Sequence, residues 1–256
     1  MHKLCICYSA YNFLERSILT LNEINVNLFD KSVRNIYKKA YHTKHRRCSV
    51  QASWAPTTIT AIKYRPGGTQ VTLFGGIVHR SEDKNFDKIC GSWSSTTVKT
   101  KKGPLTKIPA YRVSQSALGN LSPKTIYSQD YMALEANGVR NPEPRKRCLL
   151  ELSRVIEDLQ TKQYMVLLNL DANECLISNK DLLNFQQDNG LIDLVAQMSP
   201  HQEKLPTYCR GKKRIDYSFG SLNLLEYVKR AYITRTGITE SDHSAITIIL
   251  DRSKLL

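Results

Sequence analysis

Apolar positions recur along the chain at two periods, and each predicts a different kind of element. From Arg145 to Thr161, Leu149, Leu152, Ile156 and Leu159 fall at helical spacing with charge on the other face, which predicts the best-defined helix. Ser32 to Ala40 places Val33, Ile36, Tyr37 and Ala40 on one helical face. Asp181 to Asp188 reads as a short helix capped near Ser178 or Asn179 and stopped at Gly190. Ser122-Pro123 reads as a helix start, with Gly138 as its stop. Tyr164 to Leu170 is a nearly unbroken apolar run, short enough to predict a strand buried on both sides. Thr58 to Tyr64 and Gln70 to Val78 predict strands around Pro66-Gly67-Gly68. Ser92 to Lys99 and Lys107 to Ser114 predict a pair around Lys101-Lys102-Gly103-Pro104. Pro206 to Cys209 and Arg214 to Ser221 bracket a basic hairpin, and Val228 to Arg235 and Ser244 to Leu250 close the chain as strands. The mixture predicts sheet layers covered by helices.

Composition narrows the class. The chain has 256 residues, 41% of them hydrophobic, with 13 Tyr, which argues against a disordered chain. No apolar run approaches the roughly 20 residues a spanning helix needs, so a membrane-spanning helix is excluded. The net charge of +14 points to a polyanionic partner, nucleic acid before acidic membrane. Seven scattered cysteines without a CxxC pair predict neither a zinc site nor a disulfide framework, and imply a reducing, intracellular compartment.

The candidate chemistry begins where the apolar run ends, at Asp171-Ala172-Asn173-Glu174. Residues one apart at the C-terminal end of a buried strand face the same way, into a place where ligand crevices open. Asp there can ligate a hard cation or accept a proton from water, and Asn can hold that water. The same residues also read as an Asx-turn leaving a strand. In Arg214-Ile215-Asp216-Tyr217, alternation puts Arg214 and Asp216 on one face. Ser241-Asp242-His243 precedes the last strand; an imidazole needs a carboxylate to fix its tautomer, which Asp216 can supply, leaving Asp242 to face a metal.

This order of motifs resembles the endonuclease/exonuclease/phosphatase superfamily, and more narrowly the apurinic-type, exonuclease III-like endonuclease domain of non-LTR retrotransposons. Tyr64-Arg-Pro-Gly-Gly-Thr69, Gly91-Ser-Trp93, Ile108-Pro-Ala-Tyr-Arg112, Asn141-Pro-Glu-Pro-Arg145 and Pro206-Thr-Tyr208 are similar to segments of that group, from about residue 20 to 251. The resemblance implies one DNase I-like α/β (α+β) domain over residues 1–256. Its fold would be a four-layer α-β-β-α sandwich of two mixed sheets, with an atypical or truncated N-terminus at 1–20. The family's Asn-bearing opening strand has no close counterpart before Glu23; Leu4 to Tyr8 and Asn12 come nearest.

The resemblance also implies roles. Glu23 and Asp242 would face the metal, Mg²⁺ or Mn²⁺. Tyr111 would contact phosphate, Asp171 would activate or align water, and Asn173 would position it. Asp216 would orient His243 toward the scissile phosphate. Arg112, Arg210, Lys212, Lys213 and Arg214 would meet nucleic acid. The function expected is a metal-dependent endonuclease nicking DNA. The alternatives are a catalytically inactive nucleic-acid-binding relic, or a phosphatase or lipid phosphodiesterase of the same superfamily. DNA is the expected partner, no obligate protein partner is evident, and a reverse transcriptase would act as a separate chain. The expected location is intracellular, and nuclear in a eukaryote.

Overall fold

The structure is a computed structural model that describes residues 17–22, 24, 28, 30–45, 47–54, 67–115, 125–234 and 241–256. β1 (Ile18–Asn22) leads to α1 (Lys31–Lys44), where Asp30 caps the backbone N–H groups of Ser32 and Val33. β2 (Cys48–Ala52) and β3 (Thr69–Phe74) follow, then a 3-10 turn over Gly75–Arg80 and β4 (Ser81–Phe86). β5 (Ser94–Val98) and β6 (Leu105–Tyr111) pair across a turn in which Gly103 takes a φ of +108°. α2 (Ile126–Ala136) is capped by Thr125, and α3 (Pro144–Thr161) starts on proline, whose missing N–H costs nothing in a first turn. β7 (Met165–Asp171), α4 (Lys180–Asp188), β8 (Leu191–Asp193) and α5 (Leu194–Met198) come next. Then β9 (Asp216–Ser221), α6 (Leu222–Leu225), β10 (Val228–Thr234), β11 (Ala245–Leu250) and α7 (Arg252–Leu255) complete the order.

A six-stranded mixed sheet runs β4-β5-β6-β7-β9-β8, with β6 and β7 parallel and the other pairs antiparallel. Its middle is the apolar run. Val166, Leu168 and Leu170 point to one side, where Leu149, Leu152 and Ile156 of α3 cover them. Met165 and Leu167 point to the other side, into a core shared with Val71 and Leu73 of β3 and Ala231 and Ile233 of β10. That second layer consists of the sheet β1-β3-β2 and the pair β10-β11, both antiparallel. α1 covers its outer side through Tyr37 and Tyr41. Helix, sheet, sheet, helix is the four-layer sandwich that the resemblance implies.

Several local expectations change. Among the described residues the strand pairs of the second layer are all antiparallel, and β1 and β11 do not pair. Ile36 lies 69% exposed, because α1 turns its aromatic stripe, not its aliphatic one, to the sheet. Gln70 to Val78 is a strand only to Phe74, since Gly75 takes a φ of +68° and the chain turns. Pro206 to Cys209 is no strand; Tyr208 bridges to His243 instead. The helix start at Ser122-Pro123, the strand Thr58 to Tyr64, Leu4 to Tyr8, Asn12 and Glu23 lie outside the described residues. Nor did the sequence pattern predict the polar strand β4 or the short β8.

One polar row crosses the core between the sheets. Lys107 of β6 is buried and donates to Asn169 Oδ1 of β7, and Asn169 Nδ2 donates to Ser218 Oγ of β9 at 2.7 Å. Burial without a counter-ion among the described residues lowers the pKa of the Lys107 ammonium to about 7. A depressed lysine opposes folding fully below that value, and the opposition fades as pH rises toward the unfolded value near 10.4. We expect Lys107→Met with Asn169→Leu to stabilise the fold by a few kcal/mol at neutral pH, since lowering a pKa by one costs about 1.36 kcal/mol in the charged state. Denaturant unfolding at pH 7 and pH 10 checks this: the gain should shrink at the higher pH, and an equal gain at both would contradict it.

Candidate active site

The site forms where β7 ends. Parallel register places Tyr111 beside Asp171, and antiparallel register places Asp216 on its other side. The alternation that sends Leu170 to the helices sends Asp171 the other way, toward the second layer. Leu170 is buried among helix-facing side chains, so its bulk stays away from the site.

The third member comes from the segment before β11. Thr207 Oγ1 accepts from the backbone N–H groups of Ile215 and Asp216, each at 3.1 Å. Its backbone oxygen accepts from Ser244 N–H at 2.6 Å, and Cys209 N–H donates to Asp242 O at 2.7 Å. Thr207 therefore ties the start of β9 to the chain around His243. His243 Nδ1 lies 2.9 Å from Asp216 Oδ2, and Tyr208 packs against the imidazole at 5.1 Å between ring centroids.

Asp171, Asp216 and His243 form a group that can hold a metal: one ligand atom from each lies within 4.8 Å of the others. The two carboxylates are the donors a hard cation prefers. Burial opposes charge on His243, but the hydrogen bond to Asp216 and the charges of Asp216, Asp171 and Asp242 outweigh it, raising the imidazole to about 9. With Nδ1 engaged, Nε2 is the nitrogen left to meet a ligand.

The loop after Asp171 is pinned as well. Asn173 has a left-handed φ of +51°, its N–H donates to Asp171 Oδ1 at 3.1 Å, and its Nδ2 donates to Arg112 O at 2.8 Å. Ala172 N–H donates to Ile215 O at 2.9 Å, and Leu176 N–H to the Tyr217 hydroxyl at 2.7 Å.

Structural comparison identifies the scaffold. The chain superposes on an AP endonuclease from Archaeoglobus fulgidus with a TM-score of 0.59 at 16% identity, over 91% of this chain and 88% of that one. The chain has the endonuclease/exonuclease/phosphatase fold. A 3′ phosphatase from Neisseria, solved with a product DNA hairpin, gives 0.58 at 17% identity over 91% and 88% of the two chains. An endonuclease/exonuclease/phosphatase from Beutenbergia cavernae gives 0.52 at 11% identity over 90% and 61%. No family model and no curated protein matches the sequence.

Within this endonuclease/exonuclease/phosphatase fold the expected site residues divide. Asp171, Asn173, Asp216 and His243 converge. Tyr111 stands beside Asp171, 5% exposed and packed on Val113 and Tyr127. Asp242 is exposed, and its carboxylate is outside the close group. Glu23 lies outside the described residues. Arg210, Lys212 and Lys213 are exposed on the loop between Thr207 and β9.

Two arginines assigned to nucleic acid are instead internal. Arg214 grips Asp193 through two bonds of 2.8 and 2.9 Å, and Arg112 pairs with Glu174 at 2.7 Å. Both side chains are almost wholly buried, so neither is free for a phosphate. Arg214 Nε donates to Asp216 O at 3.0 Å, which makes it a brace for the site rather than a contact. Thr207 and Glu174 were missed as supports. Pro206-Thr-Tyr208 marks the first, while the arginine partners of Glu174 stand too far off in sequence to signal a pair.

The raised pKa of His243 gives a test with a definite sign. An imidazole raised to about 9 contributes stability fully below its unfolded value near 6.5, and that contribution is lost as pH rises through about 9. We expect an NMR titration of the metal-free protein to place the His243 midpoint near 9. In Asp216→Asn the midpoint should move to a pH at least tenfold higher in proton concentration, because the burial that opposes charge remains. An unmoved midpoint in the variant would show that Asp216 does not hold His243.

Proposed function

We propose that this chain is a metal-dependent phosphodiesterase, and within that class an endonuclease that nicks DNA, of the apurinic type associated with non-LTR retrotransposons. The convergence of Asp171, Asp216 and His243 at the end of β7, with Asn173 beside them, carries the reading. Phosphodiester hydrolysis needs an aligned water and neutralisation of the charge that develops on phosphorus-bound oxygens. Asp171 takes the water's proton or fixes its direction. Asn173 holds that water. His243, a cation at neutral pH in the metal-free protein, directs Nε2 to a phosphate oxygen while Asp216 holds its ring.

Asp171 and Asp216 offer oxygen ligands for Mg²⁺ or Mn²⁺, with Glu23 as the further carboxylate; such an ion supplies positive charge against the developing phosphorane. Tyr111 contacts the phosphate from β6. The net charge of +14 and the exposed Arg210, Lys212 and Lys213 beside His243's anchoring segment suit a polyanion. A reverse transcriptase on another chain and a nuclear site of action belong to the same reading.

Supercoiled-plasmid nicking tests it. We expect nicking in Mg²⁺, none in EDTA, and a loss of roughly 100-fold or more in Asp171→Ala and in His243→Ala. Joint replacement of Arg210, Lys212 and Lys213 by Ala should reduce the salt dependence of DNA binding by roughly 2 to 3 in slope, at about 0.9 per phosphate contact, and leave cleavage metal-dependent. A folded protein that binds DNA salt-sensitively and never nicks would contradict the endonuclease and favour a binding relic.

A further inference from the structure

Beside the site lies an ionic cluster that the proposed chemistry does not use. Arg112 Nη1 and Arg145 Nη2 converge on one oxygen, Glu174 Oε2, at 2.7 and 2.6 Å. Asn179 Nδ2 donates to the same oxygen. Arg112 Nε donates to Arg145 O at 3.4 Å, and Arg145 Nη1 donates to Val113 O. Both guanidinium groups are more than nine-tenths buried, while Glu174 is one-third exposed. Two buried cations around one carboxylate are costly to assemble and costly to break, so the cluster fixes whatever is attached to it.

What is attached is the catalytic loop. Arg112 N–H donates to Asp171 O at 2.8 Å, and Arg112 O accepts from Asn173 Nδ2 at 2.8 Å. Glu174 is the next residue after Asn173. The Arg112 side chain thus holds the loop's far end, and its backbone holds Asp171 and the Asn173 amide. A backbone carbonyl can only accept, so the amide nitrogen of Asn173 must face Arg112. That leaves Oδ1 of Asn173 as the acceptor kept clear of Arg112.

We infer that Arg112, locked by Glu174 and Arg145, is a positioning residue that sets the orientation of the Asn173 amide. This rests on the nuclease reading for its catalytic consequence but not for its geometry. A guanidinium serves where an ammonium would not, because its fork reaches Glu174 and the Arg145 carbonyl at once.

The test has two arms. In the first, Arg112→Met should lower the kcat of plasmid nicking about tenfold or more with KM unchanged, because the strands carrying Asp171 and Asp216 remain in place. Adding Arg112→Met to Asn173→Ala should cost no more than about threefold further, since without the amide nothing is left to position. In the second, the ¹⁵N-resolved side-chain amide of Asn173, assigned by its loss in Asn173→Ala, should show a proton protected from exchange. That protection should disappear in Arg112→Met and in Glu174→Gln, which leaves two buried guanidinium groups without their carboxylate. Multiplying effects in the double variant, or an unaltered Asn173 resonance in both single variants, would overturn the assignment. If the wild-type protein cleaves nothing, the nuclease reading fails, and the resonance alone decides the positioning role.

Discussion

The register of β7 between β6 and β9 is the constraint on which everything else in the molecule depends. Asp171 sits beside Tyr111 on one neighbour and Asp216 on the other. Period-two alternation links this to the core: Val166, Leu168 and Leu170 face the helices, so Asp171 must face the opposite layer. A slip of one residue would bury the carboxylate under α3 and push leucines into the site. The apolar packing on both faces of β7 is therefore also what aims the chemistry.

Around that strand, charge is used internally as much as externally. Arg214 with Asp193 braces the start of β9, and Arg112 with Glu174 and Arg145 braces the loop after β7. In both, the arginines are buried, and each holds a backbone segment that carries a site carboxylate or amide. The surplus of +14 thus overstates what a polyanion would meet, because three of the arginines near the site are committed inward. Those that face outward close to it, Arg210, Lys212 and Lys213, sit on the loop held by Thr207.

The strongly periodic parts of the fold were legible in the sequence. The α3 stripe of Leu149, Leu152, Ile156 and Leu159 and the doubly buried β7 need no long-range information, because burial writes itself into the pattern. β4 was not legible: Ser81-Glu-Asp-Lys-Asn-Phe86 is polar because it is an edge strand with little to bury. The α1 face was misread because Tyr37 and Tyr41 outweigh Ile36 in area. For the site, Asp171, Asn173, Asp216 and His243 were recoverable from their order along the chain. The inward turn of Arg112 and Arg214 was not, because basic residues beside motifs look the same in sequence whether they face water or a distant acid. The partners, Glu174 and Asp193, become visible only when the register has closed.

By this register Asp171 and Asp216 stand side by side as the carboxylates of one hard-cation site, with His243 held beside it by Asp216. Titration of the metal-free protein with Mn²⁺, followed by electron paramagnetic resonance, tests it most directly. Saturable binding is expected in the wild type, weakening at least tenfold in Asp171→Asn and again in Asp216→Asn, with the fold intact. Binding equal to wild type in both variants, or no binding by the wild type, would contradict it.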